Sequence, residues 1–230
     1  MKFEKTDVWG FKHVIRGMRN PLESWNKSDS VFCSPDGCAM CEEDCESLDW
    51  YEDSFAIGNA DMKLMKKLIS AGSEHRKFLR QIMVSVDISA PIYFFKEFDT
   101  YRIGVTENST STMHKLTSKP ITRNCFECGD MIPKDYIEYL ETLRRMAIDE
   151  KEHDIQERKA LWKKLIVNLP ESWIQTRTIT MNYENLLNMV HQRMNHKLTE
   201  WSVDFIEWVK SLPYADDLIF SAIETRENGK

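Results

Sequence analysis

The chain has 230 residues, of which 42% are apolar and 30% charged, with a formal net charge of -6 at pH 7. This composition is typical of a soluble globular protein, and its acidic balance argues against a general nucleic-acid-binding protein, although it leaves room for a local basic site. The apolar runs are far shorter than the roughly 20 residues of a membrane span, and the amino-terminal MKFEKTDVWG lacks the apolar core of a signal peptide. We therefore expect a cytoplasmic protein without a membrane partner.

The first predicted elements flank an irregular segment. Residues 28–55 are rich in Ser, Asp, Glu and Cys and show no helical period, so we interpret them as an insertion. After it, Asn59 or Asp61 is predicted to cap a helix whose apolar residues recur at spacings of three and four. Gly72 is predicted to end this helix.

The middle of the chain predicts a strand followed by an aromatic helix. Residues 82–88 alternate between apolar and polar side chains, as in a half-buried strand. Pro91 suits the first turn of a helix, which we predict over 91–102. The polar loop 102–115 follows at once, and two interpretations of it stay open. Its hydroxyls, Arg102 and backbone N–H groups form either a solvated connector or a site for an anion or a polar ring.

The rest of the chain is predicted to be mainly helical. A second irregular segment at about 118–132 separates the polar loop from the helices that follow. The stretch TRTITM at residues 176–181 predicts a short strand, and helices are predicted over 182–195 and after Thr199, which suits a helix cap. Few strands and many helices make an α+β fold, and we expect one domain over 1–230 with the two irregular segments as insertions.

The six cysteines all lie in the two predicted insertions. They are Cys33, Cys38, Cys41 and Cys45 in the first, and Cys125 and Cys128 in the second. In a chain without export signals, metal binding or free thiols are more common than disulfides. Each insertion holds one C-x-x-C unit, and four such thiolates can form a closed tetrahedral zinc site. A zinc ion on Cys38, Cys41, Cys125 and Cys128 is therefore one interpretation, and reduced thiols in two loops are the other.

Residues 74–116 resemble the flavin-dependent thymidylate synthases. That family carries a His after a helix, then a strand and an apolar helix that ends in the signature R-H-R-x7-S. The matching run here is residues 100–102, seven further residues and Thr110. The same register places His75 on the family's flavin-binding His.

A second block, residues 169–193, is similar to the family's carboxyl-terminal pattern. It holds Leu-Pro, a hydroxyl-rich extended segment, an Asn that opens a helix, and then Asn188 and Arg193 in register. The resemblance implies a small antiparallel sheet with several long helices, and a homotetramer. It also implies a reaction, the C5 methylation of dUMP or a related pyrimidine nucleotide, with FAD as cofactor and methylenetetrahydrofolate and NADPH as cosubstrates.

The resemblance also implies roles for individual residues. Flavin contacts fall on His75 and Asn188, nucleotide contacts on Arg102, Thr110 and Glu97, and a cation over the electron-rich pyrimidine on Arg193. Plain structural interpretations stay open beside these roles. They are His75 as a cap of the Gly72 turn, Arg193 as a buried ion-pair partner, Asn182 as a helix cap, Thr110 as a loop hydroxyl and the aromatic residues at 93–98 as core.

Several positions that carry a charged residue in the family carry a different residue in this sequence. An Arg, a His and two further Arg of the family are here Thr100, Tyr101, Thr112 and Glu184. Hydrogen bonds to a charged group contribute about 1.5–3 kcal/mol each, so we expect weaker binding of a nucleotide phosphate unless other groups replace the lost ones. The candidates for replacement are His114, Lys115, Arg76, Lys77 and Arg80, the last of which stands where the family tends to have Glu.

Two functions of different classes follow from these observations. The first is a divergent flavin-dependent thymidylate synthase-like enzyme, in which flavin supplies the hydride and no side-chain nucleophile is required. The second is a catalytically inactive, zinc-stapled module on the same fold that binds a nucleotide or assembles with other proteins. A third possibility, modification of a base in RNA or DNA, needs a basic groove that the acidic composition does not suggest.

Overall fold

A computed structural model describes residues 1–32 and 55–223. Its strands are β1 (Lys2–Trp9), β2 (Val31–Phe32), β3 (Phe55–Ala56), β4 (Met83–Pro91), β5 (Thr106–Ser109) and β6 (Ile174–Asn182). Its α-helices are α1 (Phe11–Arg19), α2 (Asn59–Ser70), α3 (Ile92–Phe98), α4 (Thr112–Lys115), α5 (Lys134–Ile148), α6 (Ile155–Val167), α7 (Tyr183–Arg193) and α8 (Ile206–Lys210). Two π-helical segments flank α8, at Glu200–Phe205 and Asp216–Phe220. None of the helices in these ranges is both long and apolar enough to cross a lipid bilayer.

The main sheet has four strands in the order β1-β4-β6-β5. Side-chain pairs show that β4 and β6 run in opposite directions, because Ser85 meets Thr180 while Ser89 meets Thr176. The apolar positions of β4 alternate with half-buried ones over its whole length, which confirms the predicted strand. The α+β fold with a small antiparallel sheet and many helices is therefore confirmed. A second, two-stranded sheet pairs β2 with β3 in antiparallel register.

The chain forms two compact units, and the main sheet contributes residues to both. The first unit consists of Met1–Lys5 and Val86–Ile179. The second consists of Thr6–Ser85 and Thr180–Lys230. A single domain over the whole chain stays a prediction.

The first unit is built around an aromatic helix and a helical pair. Phe94, Phe95 and Phe98 of α3 are buried. This agrees with the interpretation of the aromatic residues at 93–98 as core. Helix α3 ends at Phe98, earlier than predicted, because Thr100 turns back to the carbonyl of Glu97. The helices α5 and α6 pack around a separate apolar cluster. Its buried members are Leu116, Ile121, Phe126, Ile137, Leu140, Leu143 and Leu165.

The second unit centres on α7, which is buried along most of its length. Asn182 caps α7, since its side-chain oxygen accepts a hydrogen bond from the backbone N–H of Asn185 at 3.0 Å and Asn185 returns the bond. This confirms the interpretation of Asn182 as a helix cap. Thr199 precedes the first π-helical segment but makes no side-chain cap. Burial raises the pKa of Tyr183, whose hydroxyl donates a hydrogen bond to the carbonyl of Pro213 at 2.6 Å.

The cap of α2 differs from the predicted one. Neither Asn59 nor Asp61 caps this helix, so that prediction was wrong. Instead, the carboxylate of Asp29 accepts hydrogen bonds from the backbone N–H groups of Ala60 and Asp61. Asp61 is fully buried and pairs with Arg19 at 2.6 Å. A residue about thirty positions away took the capping role, which a local pattern does not reveal.

Candidate functional site

The six predicted site residues divide equally between the two units. Glu97, Arg102 and Thr110, the expected nucleotide contacts, lie in the first unit. His75, Asn188 and Arg193, the expected flavin contacts and catalytic cation, lie in the second. Each unit therefore has its own candidate half-site.

The polar loop of the first unit lines a pocket of about 220 Å³ at the end of α3. Its lining residues are Phe98, Asp99, Tyr101, Arg102, Val105 and Glu107. Arg102 is exposed, and its Nε donates to the carbonyl of Asp99 at 3.0 Å. Its terminal guanidinium nitrogens make no hydrogen bond to any residue that the structure describes. They remain available to an oxyanion in the pocket.

Sequence reasoning missed Arg177, which organises the acidic side of this pocket. Its guanidinium lies 2.7 Å from Asp99 and 2.8 Å from Glu107, and 4.0 Å from the centre of the Phe95 ring. A guanidinium stacked on an aromatic face in this way is both held flat and stabilised. The positive charges of Arg102 and Arg177 equal in number the negative charges of Asp99 and Glu107, so this group of four side chains is neutral overall. The only signal in the sequence was one Arg in a hydroxyl-rich strand.

Thr110 and Glu97 stand beside the pocket but are not among its lining residues. Thr110 fastens the edge of the sheet, because its N–H donates to the carbonyl of Thr176 at 2.9 Å and its hydroxyl oxygen accepts from the N–H of the same residue at 3.2 Å. Its hydroxyl proton is still free to point elsewhere. Glu97 is half-buried, and its carbonyl accepts the hydroxyl of Thr100 at 2.7 Å.

The half-site of the second unit consists of an amide, an imidazole and a guanidinium. Asn188 lies half-buried on α7, and its side-chain amide makes no hydrogen bond within residues 1–32 and 55–223. His75 is exposed and does not cap the Gly72 turn with its side chain. Arg193 ends α7 with its guanidinium 5.2 Å from the centre of the buried Trp201 ring. A half-buried amide of this kind suits a polar ring, which can both donate and accept hydrogen bonds.

One departure from the family pattern is compensated within the second unit. Glu184 is buried, and its Oε1 accepts a hydrogen bond from Nε of the buried Arg76 at 3.1 Å. Nε of Arg80 lies 3.7 Å from Oε2 of the same carboxylate. Position 184, where the resemblance implies Arg, thus carries an acid, and position 80, where it implies Glu, carries a base. Both positions therefore carry charges opposite in sign to those that the resemblance implies.

A second pocket, of about 240 Å³, lies beside Arg76. Its lining residues are Lys66, Ile69, Ser70, Gly72, Arg76, Ser221 and Ala222. All of them belong to the second unit. None of the six predicted site residues lines this pocket, and Arg76 was named only as a candidate replacement for lost phosphate contacts.

The predicted zinc ligands are described only in part. Cys38 and Cys41 lie outside the described residues. Cys125 is half-buried and its thiol lies 3.8 Å from the carbonyl of Pro120, whereas Cys128 is exposed. Gly129 after this pair is required for packing, because an added Cβ would lie 2.3 Å from a backbone oxygen. Within residues 1–32 and 55–223 no cluster of three or more metal-binding side chains forms, and the four-thiolate site stays a prediction.

Solved structures share this fold at low sequence identity. The structure of thymidylate synthase X (ThyX) from Helicobacter pylori with FAD and dUMP is 15% identical, with a TM-score of 0.67, and the match covers 97% of this chain and 100% of that one. A second structure of flavin-dependent thymidylate synthase ThyX from Helicobacter pylori, complexed with FAD and dUMP, is 16% identical with the same TM-score and coverage. No family model and no curated protein matches the sequence. The match therefore establishes a ThyX-like fold.

Proposed function

We propose that this protein is a divergent flavin-dependent thymidylate synthase-like methyltransferase. Its substrate would be dUMP or a related pyrimidine nucleotide, its cofactor FAD, and its cosubstrates methylenetetrahydrofolate and NADPH. The observation that carries the proposal is the fold shared along the whole chain with ThyX structures that contain FAD and dUMP. By the same resemblance we expect a homotetramer.

The pocket of the first unit fits a pyrimidine nucleotide in its chemistry. The free guanidinium nitrogens of Arg102 can donate to a phosphate, while the carboxylates of Asp99 and Glu107 can accept from ring N–H groups. Glu97 and Thr110 are the further contacts that the resemblance proposes. Among the described residues that line this pocket, Arg102 is the one arginine, so we expect the phosphate to be held more weakly than by a set of several arginines.

The half-site of the second unit fits a flavin ring in its polar groups. The unpartnered amide of Asn188 can pair with the ring's donor and acceptor edge, and the exposed imidazole of His75 is accessible to it. When bound, reduced flavin supplies the hydride. Arg193 keeps a positive charge on the aromatic face of Trp201. In the proposed role it stabilises negative charge that develops on the pyrimidine.

The second candidate function is a nucleotide-binding or assembly module without catalysis. It is favoured by Glu184, because this acid occupies a position of a family Arg and is committed to Arg76. It is favoured also by the replacement of charged family residues at positions 100, 101 and 112 by neutral ones. In this function the protein would hold one zinc ion on the two C-x-x-C units as a structural staple.

One preparation of the full chain distinguishes the two functions. We expect purified protein to be yellow, its flavin absorbance to be bleached by NADPH, and its melting temperature to rise when FAD and dUMP are added together. A ligand at 100 times its dissociation constant stabilises by about 2.7 kcal/mol, which for a chain of this size raises the melting temperature by roughly 5–10 °C. Colourless protein with one zinc per chain, and with no thermal response to FAD, supports the module instead.

A further inference from the structure

The pocket beside Arg76 has the properties of a binding site and takes no part in the proposed reaction. It lies where α2 ends, at the Gly72 turn, and Ser221 and Ala222 also line it. A single water needs about 10–15 Å³ of such space, so the pocket of about 240 Å³ admits a multi-atom group. None of the six predicted flavin, nucleotide and catalytic residues lines it, although Arg76 is one of the candidates named above for replacing lost phosphate contacts.

Arg76 presents unused donors to this pocket. The residue is 5% exposed, and its Nε is taken by Glu184. Its two terminal nitrogens make no hydrogen bond to the residues that the structure describes, although the side chain lines the pocket. Guanidinium nitrogens that face a pocket in this way can donate to an oxyanion that enters it.

The charges around the pocket favour an anionic acceptor. Among the residues that the structure describes, Arg76 and Arg80 share the carboxylate of Glu184, which leaves one positive charge in excess within this group. Lys66 on the rim is balanced by Asp217. An anion would neutralise the excess, and a planar guanidinium matches the two oxygens of a carboxylate or phosphate.

The other polar groups of the pocket do not compete for this role. The hydroxyl of Ser70 donates to the carbonyl of Lys67 at 3.0 Å, and the hydroxyl of Ser221 donates to the carbonyl of Asp217 at 2.5 Å. The last carbonyls of α2 accept N–H groups from the turn that follows, so their negative ends are satisfied. Arg76 is thus the buried side chain on the pocket whose terminal donors have no partner among the described residues.

We propose that this pocket is an oxyanion site that binds the phosphate or carboxylate group of a small metabolite. None of the six predicted flavin, nucleotide and catalytic residues lines the site, so its occupant would be a further ligand or an effector. Arg76 supplies the paired donors, and Glu184 holds its guanidinium in place. Lys66 also lines the pocket.

Calorimetric titration of the full chain with pyrophosphate and with malonate, at constant ionic strength, tests the proposal and separates the two anion classes. Constant ionic strength is needed because salt screens exposed charges. We expect saturable binding of at least one anion. Ser70→Asp places a carboxylate on the rim and should weaken binding roughly tenfold or more, whereas the neutral Ser70→Asn should stay within about twofold.

A matched control removes the effect of net charge and of folding. Ser118 in the first unit is exposed and, like Ser70, donates its hydroxyl to the carbonyl three residues earlier. Ser118→Asp should bind the anion as wild type does, and all three variants should keep the wild-type circular dichroism. Absence of saturable binding of both anions, or equal weakening by Ser70→Asp and Ser118→Asp, overturns the site. Because the probes contain no flavin or nucleotide, the result is independent of the proposed enzyme function.

Discussion

Arg76 and Glu184, 108 positions apart in the sequence, form a buried ion pair with 3.1 Å between Nε and Oε1. The pair explains how a buried acid is accommodated at position 184, where the resemblance implies Arg. It also connects the 3₁₀ helix Arg76–Gln81 to the first turn of α7. The proposed flavin contact Asn188 lies further along α7. Loss of the pair should therefore affect both stability and the second half-site.

Removal of one member of this pair should destabilise the protein strongly. Glu184→Leu leaves the buried guanidinium of Arg76 without its acid, which costs about 3–5 kcal/mol of unfolding free energy. Arg76→Met should cost less, because Nε of Arg80 still lies 3.7 Å from the Glu184 carboxylate. The double variant Arg76→Met/Glu184→Leu should recover most of this loss, because two apolar groups of similar volume replace the pair. Urea denaturation at pH 7 measures all three. Single variants with wild-type unfolding free energies would contradict the importance of the pair.

Arg177 should control the binding of anionic ligands in the first unit. In Arg177→Met the carboxylates of Asp99 and Glu107 lose their partner, and we expect dUMP binding to weaken at least tenfold through like-charge repulsion. The triple variant Arg177→Met/Asp99→Asn/Glu107→Gln removes that repulsion and should regain part of the affinity. Calorimetry with dUMP and with deoxyuridine provides the measurement. If Arg177→Met affects both ligands equally, the guanidinium has a packing role alone.

Arg102 should recognise the phosphate of a nucleotide. Its free guanidinium nitrogens can form charge-assisted hydrogen bonds, each contributing about 1.5–3 kcal/mol, so Arg102→Gln should weaken dUMP more than tenfold. Deoxyuridine, which lacks the phosphate, should bind the variant and the wild type alike. Lys119→Gln, also exposed on the first unit, is the charge-matched control. Equal affinity of dUMP for wild type and Arg102→Gln would exclude this role.

Asp61 should make the stability depend on pH in the acid range. Burial raises the pKa of Asp61, but hydrogen bonds from Ser28, Ser30 and Arg19 outweigh it and leave the pKa below its usual 3.8. A folded-state pKa below the unfolded one contributes stability above the unfolded pKa, and this contribution is lost as the pH falls through the folded pKa. Asp61→Asn should therefore be less stable than wild type at neutral pH, and the difference should shrink below about pH 4. Melting temperatures of both proteins across this range measure it, and a constant difference would refute the prediction.

The two C-x-x-C units should bind one zinc ion per chain if they form a shared site. Elemental analysis of protein purified without added metal should then give one zinc per chain, and Cys128→Ser and Cys38→Ser should each lower the zinc content by the same amount. Removal of zinc by a chelator should lower the melting temperature, since structural zinc contributes to folding. Zinc-free protein with unchanged stability would leave the reduced-thiol interpretation.

The sequence by itself determined the local elements and the fold that they form. Alternation over 82–88 defined a strand because side chains of a strand point to opposite faces at every step. Asn182 defined the start of α7 because a cap acts within three residues. The resemblance of residues 74–116 and 169–193 to the flavin-dependent thymidylate synthases implied the ThyX-like fold. These signals depend on residues that are close in sequence, so they predict the local elements from the sequence alone.

Only the tertiary structure decided which polar groups meet. Arg19 pairs with Asp61 across 42 positions, Arg177 with Asp99 across 78, and Arg76 with Glu184 across 108. No local period links such residues, because burial and strand order bring them together only after the elements have packed. One departure from the family pattern, Glu184, lies at such a place. The partners of the chain's charges, and the pocket beside Arg76, followed from packing and could not be predicted from the order of the residues.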